Sequence, residues 1–151
     1  MKKFLTDQQA TCPLSIFDPF FLMMSQKNQK FCTTINCMDG RTQEPVIAFL
    51  KKHFNATYVD SITEPGPVAI LTGPRDTPVF ANILKRLDIS VYHHKSVGLA
   101  IVAHHDCAGN PVTKEQQLKQ LAESVKTLQN LYPSIPVMGL WVNEEWQVQA
   151  V

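Results

Sequence analysis

The chain has no excess of either charge: fourteen basic side chains face thirteen acidic ones, for a formal charge of +1. No basic stripe emerges along its length, so nucleic acid is not an expected partner. A long apolar run is missing too. The patch from Ile16 to Met24 is broken at Asp18-Pro19, far short of the roughly 20 residues that a membrane-spanning helix needs. The opening Met1-Lys2-Lys3-Phe4-Leu5 imitates a secretory segment, but Thr6-Asp7-Gln8-Gln9 interrupts it before the about 7–15 apolar residues such a segment requires. The expected location is therefore cytoplasmic, where thiols stay reduced. Four cysteines then point to metal binding, catalysis or burial rather than to disulfides.

Several signatures are absent as well. There is no C-x-x-C pair, which argues against a zinc ribbon or a thioredoxin-like site. Neither a glycine-rich phosphate loop nor a Gly-x-Ser-x-Gly elbow occurs. A cysteine phosphatase would need an arginine where Gln43 follows Cys37, or where Thr113 follows Cys107. With 44% hydrophobic and 18% charged residues, the chain instead reads as one ordinary globular domain over residues 1–151. Residues 1–29 form an N-terminal segment expected to be a helical arm.

Strands and helices alternate along the rest of the chain. Phe31 to Asn36 is β-branched and apolar, the mark of a buried strand. Val46, Ile47, Phe49, Leu50 and Phe54 share one helical face, with Pro45 placed in the first turn. Thr57 to Ile62 reads as a second strand, ended by Glu64-Pro65-Gly66-Pro67, and Val68 to Leu71 as a short extension. Asp76 is the expected cap of a helix carrying Val79, Phe80, Ile83, Leu84 and Leu87, with a further helical stretch from Ile89 to Lys95. Val97 to Ala103 is almost continuously apolar, as in a central parallel strand. Thr113 and Gln116 have capping-box spacing ahead of a helix. Val137 to Val142 and Trp146 to Val151 are the last expected strands. The order predicts an α/β fold, with a small parallel-core sheet and helices on both faces.

Such sheets bind ligands beyond the carboxyl ends of their strands. Two chemically rich segments fall there: Cys37-Met38-Asp39-Gly40-Arg41 after the first strand, and His104-His105-Asp106-Cys107-Ala108-Gly109-Asn110 after the most apolar one. Zinc favours thiolate and imidazole in a tetrahedron, and a site with three protein ligands keeps one position open. Cys37, His104 and Cys107 supply that donor set, although His105 competes with His104 on spacing alone. Cys12 and Cys32 are expected non-ligands, and His53, His93 and His94 lie on expected helices. His105 and Asp106 are either partners of the ligands or plain loop residues.

Cys-x-Asp-x-Arg at Cys37, Asp39 and Arg41, followed by His-x-x-Cys at His104 and Cys107, is similar to the paired signature of the β-class carbonic anhydrases. The resemblance spans residues 30–110 and is to short, divergent bacterial members. It implies one zinc ion per chain on Cys37, His104 and Cys107, and it favours His104 over His105. It also implies zinc-dependent hydration of carbon dioxide to bicarbonate. Asp39 would orient the nucleophile and Arg41 would keep Asp39 ionised, or Asp39 would itself take the fourth position at rest. A homodimer or higher homo-oligomer is implied, with Phe17, Phe20, Phe21, Leu22 and Met23 packing on a partner or on the domain's own sheet.

The family pattern has glycine where Ala103 and Ala108 stand, with Gly109 expected to supply the flexibility one residue later. It also has an Arg-Asn-Ala-Gly-like segment where this chain has Glu64-Pro65-Gly66-Pro67. That last departure underlies the alternative of a non-catalytic zinc-binding or interaction protein. Hydrolysis of carbonyl sulfide or carbon disulfide is a further alternative.

Overall fold

The structure is a computed structural model and describes residues 29–151. The helical arm expected over 1–29 falls, up to residue 28, outside the described residues, as do Cys12 and the apolar group Phe17, Phe20, Phe21, Leu22 and Met23. The elements in chain order are β1 (Phe31–Cys37), α1 (Gly40–Phe54), β2 (Tyr58–Glu64), α2 (Pro67–Thr72), α3 (Pro78–Asp88), β3 (Leu99–His104), α4 (Lys114–Leu131), β4 (Val137–Val142) and β5 (Val148–Ala150). They build one five-stranded sheet in the order β2-β1-β3-β4-β5. The first four strands are parallel and β5 is antiparallel at the edge.

Every residue of β3 is buried, which explains its unbroken apolar run: a central parallel strand has helices over both faces. On one face, Val46 and Leu50 of α1 pack with Ala100, Val102, Leu140 and Val142. The opposite face carries α2, α3 and α4, with Leu71, Ile83, Leu87, Leu121 and Leu128 over Ile35, Ile101 and Trp141. Cys32 is fully buried in the sheet, as expected, and burial pushes its thiol up to about 11.

Several boundaries differ from the sequence expectation, each for a local reason. Helix α1 starts at Gly40, so Pro45 lies inside it and not in its first turn. The cap is Asp39, whose carboxylate accepts the Arg41 amide at 3.0 Å. Residues 68–71 are helix α2 and not a strand extension, because Gly66 turns left-handed (φ 60°) and Pro67 occupies the first helical turn. Helix α3 is capped by Thr77, one residue beyond Asp76, again with proline just inside. The stretch after α3 is a single π-helical turn, Ile89–His93. The final strand is shorter than expected, since Trp146 belongs to the turn between β4 and β5. Thr113 caps α4 and accepts the Gln116 amide at 3.3 Å, as its spacing predicts.

Candidate metal centre

Adjacent parallel strands β1 and β3 end on Cys37 and His104, and Cys107 follows in the loop after β3. Their potential ligand atoms all lie within 4.8 Å of one another. All three residues are nearly inaccessible, at 3%, 1% and 4% exposure. The two sulfurs are 3.9 Å apart, too far for a disulfide, whose S–S length is about 2.05 Å. That separation is close to the about 3.8 Å edge of a tetrahedron whose zinc–sulfur bonds are about 2.3 Å. Asp39 is not part of this close group.

The imidazole of His104 is fixed by its backbone. Its Nδ1 lies 2.7 Å from the carbonyl oxygen of His105, and a carbonyl can only accept, so Nδ1 carries the proton. Nε2 is left buried with no hydrogen-bond partner. A buried, unpaired nitrogen is costly, and here it stands beside two thiols. Neutral His that donates one nitrogen to a carbonyl and keeps the other lone pair free is the ordinary form of a metal-binding histidine. The residues present therefore fit a zinc ion.

The sulfurs have help from the backbone. Cys37 is shifted toward thiolate chiefly by the hydrogen bond from Cys107; burial opposes the shift, and His104 and the amides of Gly66 and Asp39 add to it. Cys107 is raised, first by Cys37 and then by burial, while the amides of Gly109 and Asn110 act against the rise. Without a counter-ion the pair thus holds one negative charge far more readily than two. For His104, burial disfavours the charged ring, but the Cys37 sulfur, the His105 backbone and the Asp39 charge together outweigh it and the pKa is raised. A divalent cation would remove the conflict by neutralising both sulfurs.

The Glu64–Pro67 segment belongs to this cradle. Gly66 presses against the Cys107 loop so closely that a Cβ on it would lie 2.5 Å from the Gly109 carbonyl oxygen. A Cβ on Gly109 would lie 2.6 Å from the Pro65 carbonyl carbon. Gly109 therefore serves the close approach of the two loops. Gln43 of α1 adds a bond from Nε2 to the Cys37 carbonyl at 2.6 Å.

Around the three ligand candidates lies a second layer that only partly follows the sequence motifs. Arg41 donates from Nε to both Asp39 oxygens (3.0 and 3.1 Å) and from Nη2 to Oδ2 at 2.6 Å. These bonds hold the Asp39 carboxyl at about 2, against a smaller opposing effect of burial. The far side of the guanidinium reaches Asp106 at 3.2 Å, and its carbon sits 4.3 Å from the Trp146 ring centre. His105 also packs on this ring, 4.4 Å from Trp146. The sequence places Trp146 in an expected strand and gives no sign of its place beside the centre, because it is separated from both motifs and its only local signal is the turn-forming Asn143 before it. His53 and His93 do not join the centre, and His94 instead pairs with Asp60 at 2.7 Å. An open pocket of about 260 Å³ is lined by Cys37, Met38, Asp39, Pro65, Ala108 and Gly109.

The family model described as "Putative carbonic anhydrase" matches residues 27–151. No curated protein sequence matches the chain. Among solved structures, one of the tetrameric β-carbonic anhydrases of the filamentous ascomycete Sordaria macrospora aligns with a TM-score of 0.56 at 12% identity, covering 89% of this chain and 87% of that one. The carbonic anhydrase of Glaciozyma antarctica aligns at 0.52 with 17% identity, covering 78% and 80%. A β-carbonic anhydrase of Trichomonas vaginalis aligns at 0.50 with 17% identity, covering 87% and 91%. Likeness at such identities concerns the fold, and the family match carries the rest: the chain belongs to the putative carbonic anhydrase family and has the fold of the β-carbonic anhydrases.

Proposed function

We propose that Cys37, His104 and Cys107 bind one zinc ion per chain and that the protein hydrates carbon dioxide reversibly to bicarbonate. One observation carries the reading: two buried sulfurs at tetrahedral spacing converge with an imidazole Nε2 that has no other partner. Zinc held there would lower the pKa of a coordinated water from 15.7 to about 7, supplying a nucleophile at neutral pH. Asp39 lines the pocket beside Cys37 and remains an acceptor at any physiological pH, so it can orient a water by taking its hydrogen bond. Arg41 keeps that acceptor ionised. Met38, Pro65 and Ala108 give the pocket apolar walls that suit a small uncharged substrate.

The Glu64–Pro67 segment contributes to the metal cradle, because Gly66 supports the Cys37 sulfur and packs against the Cys107 loop; its departure from the family pattern keeps a non-catalytic zinc-binding protein as the second reading. The same reading makes residues 1–151 one cytoplasmic functional unit, acting as a homo-oligomer without nucleic-acid or membrane partners. Among the described residues no helix is long and apolar enough to cross a membrane. Stopped-flow hydration by zinc-loaded protein at about pH 7–9 tests the activity. A rate above buffer that vanishes on chelation is expected. One zinc per chain with no rate would replace the enzyme by a zinc-binding protein, and turnover of carbonyl sulfide or carbon disulfide alone would replace the substrate.

A further inference from the structure

Arg41 is held on three sides, and only one of them belongs to the sequence motif. One edge of its guanidinium faces Asp39, the other faces Asp106, and its plane lies on Trp146. Both added partners have an uncommon backbone. Trp146 has φ 59° and Asp106 has φ 53°, two of four non-glycine residues with positive φ among the described residues. Asp tolerates that region, but a bulky aromatic there is an outlier that calls for a reason. The turn itself supplies none: Asn143 accepts the Trp146 amide at 3.0 Å, and its side chain accepts the amides of Glu145 and Gln147. Glycine or asparagine would serve that turn better.

We infer that Trp146 is a positioning residue for the metal centre: its ring holds Arg41 against Asp39 and so keeps the Asp39 carboxylate off the metal. The inference rests on the metal reading above. A carboxylate is itself a competent zinc ligand, and Asp39 is two residues from Cys37 and lines the same pocket. What restrains it is the set of Arg41 bonds together with its role as cap of α1. Arg41 is half exposed and has a second carboxylate, Asp106, within reach. Without the aromatic face the guanidinium can swing toward Asp106, and Asp39 is then free to occupy the open metal position and exclude other ligands.

Azide titration of cobalt(II)-loaded protein, followed by visible absorption, reads that open position directly. Trp146→Asn keeps a residue that tolerates the left-handed turn but removes the ring, while Trp146→Phe keeps a ring. Azide binding is expected to weaken at least about tenfold in W146N, to stay within about twofold of wild type in W146F, and to recover in W146N/D39N. Unchanged azide affinity in W146N overturns the inference, as does a loss that D39N fails to reverse. If W146N does not fold, Trp146→Gly, which also tolerates the left-handed turn and removes the ring, is read in its place: azide binding weakened at least about tenfold and recovered in W146G/D39N supports the inference, and unchanged binding or a loss that D39N fails to reverse overturns it. A wild-type protein that takes up no cobalt removes the metal reading itself, and this inference with it.

Discussion

Two polar clusters are buried along β1, and they differ in whether the protein alone satisfies them. Toward the amino end of the strand, Thr33 Oγ1 lies 2.6 Å from Ser90 Oγ and 2.7 Å from Ser96 Oγ, and its one proton serves one of the two. Ser90 donates onward to Asp60, which His94 also meets, and Ser96 donates to the Gly98 carbonyl. Each hydroxyl has a partner. At the carboxyl end, Cys37, His104 and Cys107 converge with an unpaired Nε2 and two sulfurs sharing one charge. The first cluster is complete as folded, and a cation would complete the second. An unpaired atom by itself would not carry that distinction, since Thr34 Oγ1, Gln117 Oε1 and Trp141 Nε1 are also buried without partners. Convergence with further donors is what separates a site from an isolated cost.

The contrast breaks most visibly at a ligand. Cys107→Ser should lower zinc affinity by more than about 100-fold, beyond the range of losses typical of residues that only support a ligand. Zinc content should fall from one per chain to a trace on gel filtration. Zinc kept at wild-type stoichiometry would mean that the cluster is merely a pair of buried thiols. A step down in size, Gly66→Ala leaves all three proposed ligands but places a Cβ against Gly109 at positive φ. The strain of about 1–3 kcal/mol should appear as a lower urea midpoint, together with weaker zinc binding in a chelator competition. Loss of stability with unchanged zinc affinity would show that the cradle tolerates displacement of this loop.

The complete cluster should respond in the opposite way. Thr33→Val keeps shape but removes a hydroxyl that lies against two buried serines. About 1–2 kcal/mol of stability should be lost, with zinc affinity unchanged. If zinc affinity fell along with stability, the two ends of β1 would be coupled and the distinction between them artificial.

Periodicity made much of this fold legible. The unbroken apolar run of β3, the Thr113 cap and the bounds of β4 all read correctly, because buried parallel strands and capped helices leave strong local patterns. Proline-led starts were harder. Pro67 and Pro78 each open a helix, yet an apolar tetrad after Pro67 reads equally well as strand. The site divided along the same line. Cys37, Asp39, Arg41, His104 and Cys107 stand in two short motifs at strand ends. Trp146, Gln43 and Gly66 enter through tertiary contact or a backbone amide, which side-chain patterns do not encode.

The smallest effect concerns charge rather than connectivity, and Asp39→Asn isolates it, because asparagine also caps a helix well. Asp39 has its pKa lowered from 3.8 to about 2 by Arg41. A group depressed on folding adds stability that is complete above its unfolded pKa and disappears as pH falls through the folded one. Wild type should therefore exceed D39N in urea midpoint at pH 5–7, with the gap narrowing below pH 4 and closing only below pH 2. Because the Arg41 side chain is 47% exposed, solvent and salt screen the pair, and the gap should be no more than about 1 kcal/mol. High salt should shrink it further. A gap that persists unchanged at pH 2 would mean that the carboxylate acts through shape or capping, and the tie between Asp39 and Arg41 would then hold the loop without tuning the charge beside the metal.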